Sequence, residues 1–596
     1  MLMRNSGLRF LIPYMRPYYG SLLLGTLYAL IGSSASAFSP ALLGWAIDEL
    51  NRGVRLQVLI WYALGILLLA TLLAVFRYLL RMLTGGIAAG VTYQMSQDLY
   101  ARVLTFDQGV IRQYGTGDLL SRATSDFIYI WRFYSAGFQM AIHSLLLLLI
   151  GCGLMAITSP FLAVVVVVML VISVVAQVFL SRVLEQTFDR VQQEMARLSA
   201  FAQEYLSAAR MVAAYTQEQA AIQAFSKVNE QYAQRNLDFV LRSSAISPLP
   251  NLMVRLSATI VLAVGGVLII QDRLSVGEYV QFIVYLNLLS NAATQLSQAY
   301  ERLQQGSAAA GRVGEVLLRK PDITDAPDAL DLPITGELRF EGVGVRIDEQ
   351  WILRDIDLHV PAGSTLGIVG ATGAGKSTLL SLVARVRDPD AGRVLVDGHD
   401  LRSIKLAALR SAIGFVPQET LLFGVPLREN ITFGLKNVSD EQIQEAIHAA
   451  RLSNDLAQLP NGLATVVGER GASLSGGQKQ RTAIARALVR KPRILMMDDS
   501  LASVDAHTAS EIIGELGSAH LKRTSLIVSQ RLDAVRNADQ IIVLEDGRIV
   551  ERGTHQSLIA QGGLYAAMYD RELHRAGHDQ PSHAGGEATH QGSRAQ

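Results

Sequence analysis

The chain has 596 residues, 50% of them hydrophobic, with 53 Lys and Arg against 52 Asp and Glu and a single cysteine. That length exceeds what one hydrophobic core supports, so several domains are expected, and a near-neutral charge without a basic stripe argues against a nucleic-acid partner. The lone Cys152 excludes a disulfide framework and a cysteine-based metal site, and its apolar neighbours suit a small buried hydrophobe.

The first residues carry Arg4, Arg9 and Arg16 but no apolar stretch ending in a cleavage site, so the first apolar run reads as a membrane anchor rather than a removable signal. Runs near 20–45, 57–83, 136–157, 159–182, 246–270 and 277–300 are each long enough to cross ~30 Å of hydrocarbon as helices, which predicts six spans. The connection Thr158 to Pro160 is tight and uncharged. The segment from Thr84 to Phe133 holds Arg102, Arg112, Arg122 and Arg132, and by the positive-inside rule it is cytoplasmic. An even number of spans then returns the chain to that side. His143 and Arg255, and less so Gln177, Asn287 and Asn291, are polar positions within these runs and hence functional candidates by default; the plainer alternative is interhelical bonding, or snorkelling for Arg255.

The stretch from Ser181 to Ser244 is too charged for lipid and too periodic for a linker, so helices projecting from the membrane are expected. Residues 306–335, with Pro321, Pro327 and Pro333, have the composition of a linker. Then Gly370, Ala371, Thr372, Gly373, Ala374, Gly375, Lys376, Ser377 and Thr378 form a G-x-x-x-x-G-K-[ST] phosphate loop between an apolar strand from Ser364 and a Leu-rich helix expected from Thr378. Glycines let successive N–H groups face the phosphates of ATP, Lys376 neutralises charge, and the Ser377 hydroxyl suits Mg2+. Leu474, Ser475, Gly476, Gly477 and Gln478 follow as a second glycine-containing motif. After about residue 572 apolar content ceases; His574, His578, His583 and His590 could bind metal, but a disordered solvated tail is the expectation.

With these pieces in this order the chain resembles a bacterial ABC exporter half-transporter of the multidrug or lipid-exporting type. The resemblance implies a six-helix transmembrane bundle over 1–305, a linker over 306–335, an α/β P-loop nucleotide-binding domain over 336–572 and a tail over 573–596, in a multi-pass protein of the plasma membrane with its ATPase domain cytoplasmic. It implies that Gln418 touches Mg2+ and senses the membrane domain, and that Asp498, ending the apolar strand Ile494 to Met497, holds hydrated Mg2+ together with Ser377. It also implies that residues 474–478 cap ATP bound by the opposite cassette of a dimer. Gly468 to Gly471 is similar to the exporter X-loop, Tyr114 to Arg122 to the segment after the first coupling helix, and Glu204 to Phe225 to the second coupling region.

The chain departs from that family at four places. Asp499 stands where a glutamate polarises the attacking water; one methylene shorter, its carboxylate is a poor general base, because a displacement of ~1 Å costs ~10²-fold in rate. Gln530 replaces the switch histidine and cannot become cationic near neutral pH. Ile347 stands where an aromatic stacks on adenine, with Trp351 nearby as a possible substitute, and Asp505 follows Val504 where the family has leucine. Together with an intact phosphate loop and signature, this combination resembles one subunit of a heterodimeric exporter with one impaired and one competent ATP site, moving hydrophobic small molecules, lipids or peptides. The alternatives are a homodimeric exporter or lipid flippase with slow hydrolysis, and an ATP-gated channel or regulatory subunit.

Overall fold

A computed structural model describes residues 6–53, 55–468, 471, 474–516 and 523–578, and the chain divides into two compact units, one of residues 1–105 and 114–320, the other of residues 106–113 and 321–596. Up to residue 320 the elements are helices: α1 (Ser6–Met15), α2 (Tyr19–Asn51), α3 (Leu56–Val103), α4 (Gln108–Tyr114), α5 (Thr116–Arg132), α6 (Phe138–Thr158), α7 (Pro160–Ser207), α8 (Ala209–Ala214), α9 (Glu218–Ile246), α10 (Leu249–Ile270) and α11 (Val276–Leu318). A π-turn at Phe133–Gly137 joins α5 to α6.

The six apolar runs coincide with α2, α3, α6, α7, α10 and α11. Among the described residues three helical stretches are long and apolar enough to cross a membrane, Arg9–Asn51, Leu56–Val103 and Thr116–Thr158, and shorter apolar ones occupy Pro160–Ala176 and Arg255–Ile270. Helices α3 and α7 have 48 residues each. At ~1.5 Å per residue either is about twice as long as the hydrocarbon is thick, so their polar ends project beyond it. There α7 pairs with α9 through Phe188 against Phe239 and Phe201 against Phe225.

Lipid tails give apolar helices no reason to prefer one another, so close backbone approach must supply the attraction. Helix α2 presents buried Gly25, Ala29, Gly32, Ser33, Ala37, Ala41 and Gly44. At its end Gly44 faces Gly277 of α11 so closely that a Cβ on Gly277 would lie 2.0 Å from the Gly44 carbonyl. Asp48 locks the crossing: its carboxylate accepts from the Ser275 hydroxyl (2.5 Å) and the Gly277 N–H (2.8 Å), while Ser275 and Glu278 form a capping box on α11. At the other end of α11, Arg312 pairs with Asp126 of α5, and Arg122 with Asp118 and Glu315 (both 2.9 Å). Helix α11 continues to Leu318, through the first part of the expected linker, because buried Ala309, Ala310, Val313 and Val316 keep an apolar face; it stops just before Pro321.

The second unit contains β1 (Leu338–Ile347), β2 (Gln350–Val360), β3 (Thr365–Gly370), α12 (Lys376–Val383), β4 (Ala391–Val396), β5 (His399–Asp400), α13 (Leu406–Ser411), β6 (Ile413–Val416), α14 (Leu427–Ile431), α15 (Asp440–Ala449), α16 (Ser453–Leu456), α17 (Gly476–Leu488), β7 (Ile494–Asp498), α18 (Ala506–Leu516), β8 (Thr524–Val528), β9 (Gln540–Glu545), β10 (Arg548–Gly553), α19 (His555–Gln561) and α20 (Leu564–His578). An antiparallel sheet runs β2-β1-β4-β5, and a second runs β10-β9-β3-β8-β7-β6, parallel except for β10. Both faces of the parallel sheet are covered, which is why β3, β7 and β8 read as unbroken apolar runs. Helix α12 begins at Lys376, two residues before the expected Thr378. Helix α20 runs on to His578, past the expected tail start at 573, anchored by fully buried Tyr565. Residues 579–596, with His583 and His590, lie outside the described residues, and among the described ones no cluster of three or more His, Cys, Asp or Glu could hold a metal.

Gly277→Ala is expected to lower stability by ~1–3 kcal/mol, because the added methyl meets backbone rather than a yielding side chain. A thermal melt of the detergent-solubilised chain matching wild type would contradict this packing.

Candidate functional site

Parallel register brings the chemistry to one edge. Ile368 lies opposite Val528, Asp498 opposite the same Val528, and Val416 opposite Met497. The loops leaving β3, β6, β7 and β8 therefore all emerge at the carboxyl end of the sheet, where α/β folds bind ligands. They carry respectively residues 371–375, Gln418, Asp499 and Gln530. Gln418 and Gln530 are exposed; Asp498 and Asp499 are buried.

In the phosphate loop Ala371, Thr372, Gly373 and Ser377 are exposed, while Ala374, Gly375 and Lys376 are buried. Gly375 caps α12 with φ +97°, and a Cβ there would lie 2.7 Å from Leu353 Cδ2 and 2.9 Å from the Ile352 carbonyl, so only glycine fits. Lys376 folds its ammonium onto the Gly370 and Ala371 carbonyls (2.8 and 2.7 Å). Burial pulls its pKa down, and the nearby Asp499 and Asp498 charges oppose that shift. Ser377 donates its hydroxyl to Asp498 (3.0 Å). Burial raises the Asp498 pKa and neighbouring Asp499 adds to the shift, against the Ser377 hydrogen bond and Lys376. Two buried carboxylates thus share one lysine whose ammonium is held by carbonyls. An incoming cation would relieve that imbalance.

Asp499 adopts φ +45°, its N–H donates to the Val528 carbonyl (2.9 Å), and its Oδ1 accepts from the Gln530 N–H (3.2 Å). One carboxylate oxygen is therefore engaged by the switch loop. Trp351 is no bare platform either: its ring packs over Gly344, with the guanidinium of Arg346 4.6 Å and that of Arg354 5.6 Å from its centroid.

The motif Leu474 to Gln478 starts α17. Leu474 is buried, Ser475 and Gly476 are exposed, and Ser475 forms a capping box with Gln478 (3.3 and 3.0 Å). Behind it Gln480 accepts from the Ser503 N–H (3.0 Å), and Arg481 grips Asp455 with two bonds (2.6 and 2.9 Å). Neither brace is signalled by local sequence. Asp505 accepts from the Thr508 N–H (2.9 Å) at the start of α18, which holds its carboxyl below the usual range. Gly468 and Gly471 flank Glu469 and Arg470, which lie outside the described residues.

In the helical unit, His143 takes part in interhelical bonding, its Nδ1 2.9 Å from the hydroxyl of fully buried Ser33. Asn287 donates to the Ile283 carbonyl of its own helix (3.0 Å), and Arg255 and Asn291 are exposed. The side chain of Gln177 lies outside the described residues. Cys152 is partly buried against the Leu162–Leu286 cluster. A cavity of about 210 Å³ lies between α2, α3, α6 and α11, lined by Tyr28, Arg77, Gln139, His143 and Gln295 among apolar neighbours, and none of its lining residues is acidic. Arg77, an arginine inside an apolar run, was the available signal for it.

A phosphate loop at the carboxyl end of a parallel sheet, in a chain that also carries a long-helix membrane unit, defines a membrane-bound P-loop ATPase. Known proteins sharpen that class. A family model described as the ABC transporter transmembrane region matches residues 22–293, and one described as ABC transporter matches residues 353–502. A probable multidrug resistance ABC transporter ATP-binding/permease protein, YheI of Bacillus subtilis, is 33% identical over 540 residues, covering 90% of this chain and 92% of that one. The ATP-dependent lipid A-core flippase of Syntrophus aciditrophicus is 30% identical over 564 residues, 94% of each chain. A solved bacterial Atm1-family ABC exporter with ATP bound superposes with a TM-score of 0.80 at 25% identity, over 94% of this chain and 98% of that one. The chain belongs to the ABC transporters, as an exporter whose membrane region and ATPase domain are fused in one polypeptide.

Gly375→Ala should weaken ATP binding by at least ~10-fold, since the methyl must displace either the loop or β2. Titration with a fluorescent ATP analogue that gave wild-type affinity would contradict the tight turn.

Proposed function

We propose that the chain is the hydrolytically impaired half of a heterodimeric ABC exporter in the plasma membrane, with its ATPase domain cytoplasmic. The observation that carries this is the Asp499–Gln530 pair. The carboxylate where the water-activating glutamate belongs is both shorter and already bonded to the switch-loop N–H, beside an intact phosphate loop and signature. In this reading residues 370–378 cradle the phosphates, and Lys376 exchanges its carbonyl partners for phosphate oxygens. The all-oxygen set of Ser377, Gln418 and Asp498, next to the second buried carboxylate of Asp499, fits Mg2+, which takes few protein ligands alongside substrate phosphates. The ion would spread the charge of the β- and γ-phosphates. Residues 474–478, exposed at Ser475 and Gly476, would close the partner's site, whose glutamate and histidine perform hydrolysis.

The domain division proposed is membrane bundle 1–305, linker 306–335, ATPase domain 336–572 and tail 573–596. Phe106 to Gln113 belongs with the second unit, where Asp107 accepts from the Asp322 N–H (3.3 Å), as a coupling helix should. The second coupling region leaves Leu206, Met211, Tyr215 and Ile222 exposed, with no buried residue on α8. Such apolar exposure suits a partner cassette. ATP binding would draw the cassettes together and, through these segments, turn the membrane cavity outward.

The cavity around Arg77 supports an amphipathic substrate whose polar part accepts hydrogen bonds, because one guanidinium and several neutral donors line it without a carboxylate. Arg77→Gln is expected to raise the half-saturating concentration of dodecyl phosphate by ~10-fold or more, the loss of a charge-assisted hydrogen bond, measured by tryptophan fluorescence in lipid nanodiscs. Unchanged binding would exclude this subsite.

For the heterodimer, the chain purified alone should bind ATP with little Mg2+-dependent turnover. Asp499→Glu combined with Gln530→His should raise that rate by ~10²-fold, the usual contribution of a general base. Robust turnover by the wild-type chain alone would favour a homodimeric exporter instead.

A further inference from the structure

The switch loop is held at four successive backbone N–H groups. Ser529 donates to the Ile368 carbonyl (3.3 Å), Gln530 to Asp499 Oδ1 (3.2 Å), Arg531 to the Ser529 hydroxyl (3.0 Å) and Leu532 to Glu572 Oε2 (2.9 Å). The first three partners belong to the sheet edge and the loop itself. The fourth comes from α20, at the far end of the ATPase domain's chain.

Glu572 is held where it can reach. Tyr565, on the same helix about two turns earlier, is fully buried among Val369, Ile527, Leu532 and Val535, and its hydroxyl lies 2.8 Å from His555 Nδ1. Glu551 accepts from the N–H groups of Leu564 and Tyr565, fixing the start of α20. The Glu572 carboxylate then meets the first N–H of the short helical turn Leu532–Ala534, whose own cap residue, Arg531, supplies no side-chain bond there and sends its guanidinium to the Val504 carbonyl (3.2 Å). A carboxylate at that end of a turn satisfies an orphan donor and complements its dipole. Gln530, Leu532 and Glu572 line one cavity of about 460 Å³ with Ala371 of the phosphate loop. That cavity leaves open space beside the loop where the fourth bond holds it.

We infer that Glu572 is a positioning residue: through the Leu532 N–H it fixes the switch loop so that Gln530 faces the terminal phosphate of ATP bound by the adjoining phosphate loop. This rests on the reading of Gln530 as the γ-phosphate contact, and the test separates the two. The full chain in detergent is titrated with ATPγS and with ADP, which differ at that phosphate. Gln530→Ala should lower the ATPγS-to-ADP affinity ratio by ~5-fold. Glu572→Ala, and Glu572→Asp with its shorter reach, should lower it comparably, while Glu572→Gln, whose amide oxygen can accept the same bond, should stay within about twofold of wild type. The double variant Gln530→Ala/Glu572→Ala should fall no further than Gln530→Ala alone. ADP affinity reports folding; if the alanine variant does not fold, the aspartate and glutamine variants decide. A wild-type ratio in the Glu572 variants, with Gln530→Ala lowered, would overturn the positioning role and leave the Gln530 contact standing. A wild-type ratio in Gln530→Ala would overturn the contact and the inference together. Equal loss of ADP and ATPγS affinity in Glu572→Asp would make the bond a general cap and overturn the inference.

Discussion

The ATPase domain depends on the register of three parallel strands. With Val528 opposite both Ile368 and Asp498, the phosphate loop, the two aspartates and the switch loop must leave the sheet at one edge. That register is enforced by burial on both faces: one cluster runs from Leu338 to Leu544, a second holds Leu495 and Met497, and a third holds Val369 and Ile527. A slip by one residue would exchange these faces and separate Ser377 from Asp498. The site is thus a property of the sheet core before it is a property of any loop.

That dependence explains what could be read from residues alone. The phosphate loop and the strand ending at Asp498 are local patterns whose chemistry and neighbours lie within a few residues, so sequence located them. The capping box of Ser475 and Gln478 is likewise a local S-x-x-Q signature. Helix ends are less local. Helix α11 passes 306, where composition suggests a linker, because an apolar face that includes Val313 stays buried, and α20 passes 572, where composition suggests a tail. Contacts made across the chain were not legible: Asp48 clasping α11, Arg481 clasping Asp455, and Glu572 meeting a backbone N–H that has no side-chain identity to betray it.

In the membrane half, small residues replace the hydrophobic effect as the organising force. Gly44 and Gly277 let α2 and α11 touch, and Asp48 fixes their rotation, which in turn brings Ser33 beside His143. The same packing leaves a cavity whose polarity is unbalanced, with Arg77 present and no acid lining it. His143 is a polar residue in an apolar run, yet its imidazole is engaged by Ser33, whereas Arg77, of the same kind, lines a cavity none of whose lining residues is acidic.

Asp499 and Gln530 bear on one another through a bond that involves only the backbone of the second residue. Asp499 has its main chain fixed by φ +45° and by the Val528 carbonyl, so the position of its carboxylate is set by side-chain length. A glutamate there is one methylene longer, so its carboxylate would not sit at the same place against the Gln530 N–H. Aspartate reaches that N–H and anchors the loop. On the proposed reading, binding and hydrolysis rest on different groups: the phosphate loop keeps its glycines, Lys376 and Ser377, while the carboxylate beyond β7 bonds the Gln530 N–H. Under that proposal a site arranged this way would hold ATP longer than it cleaves it, the behaviour expected of one of two unequal sites.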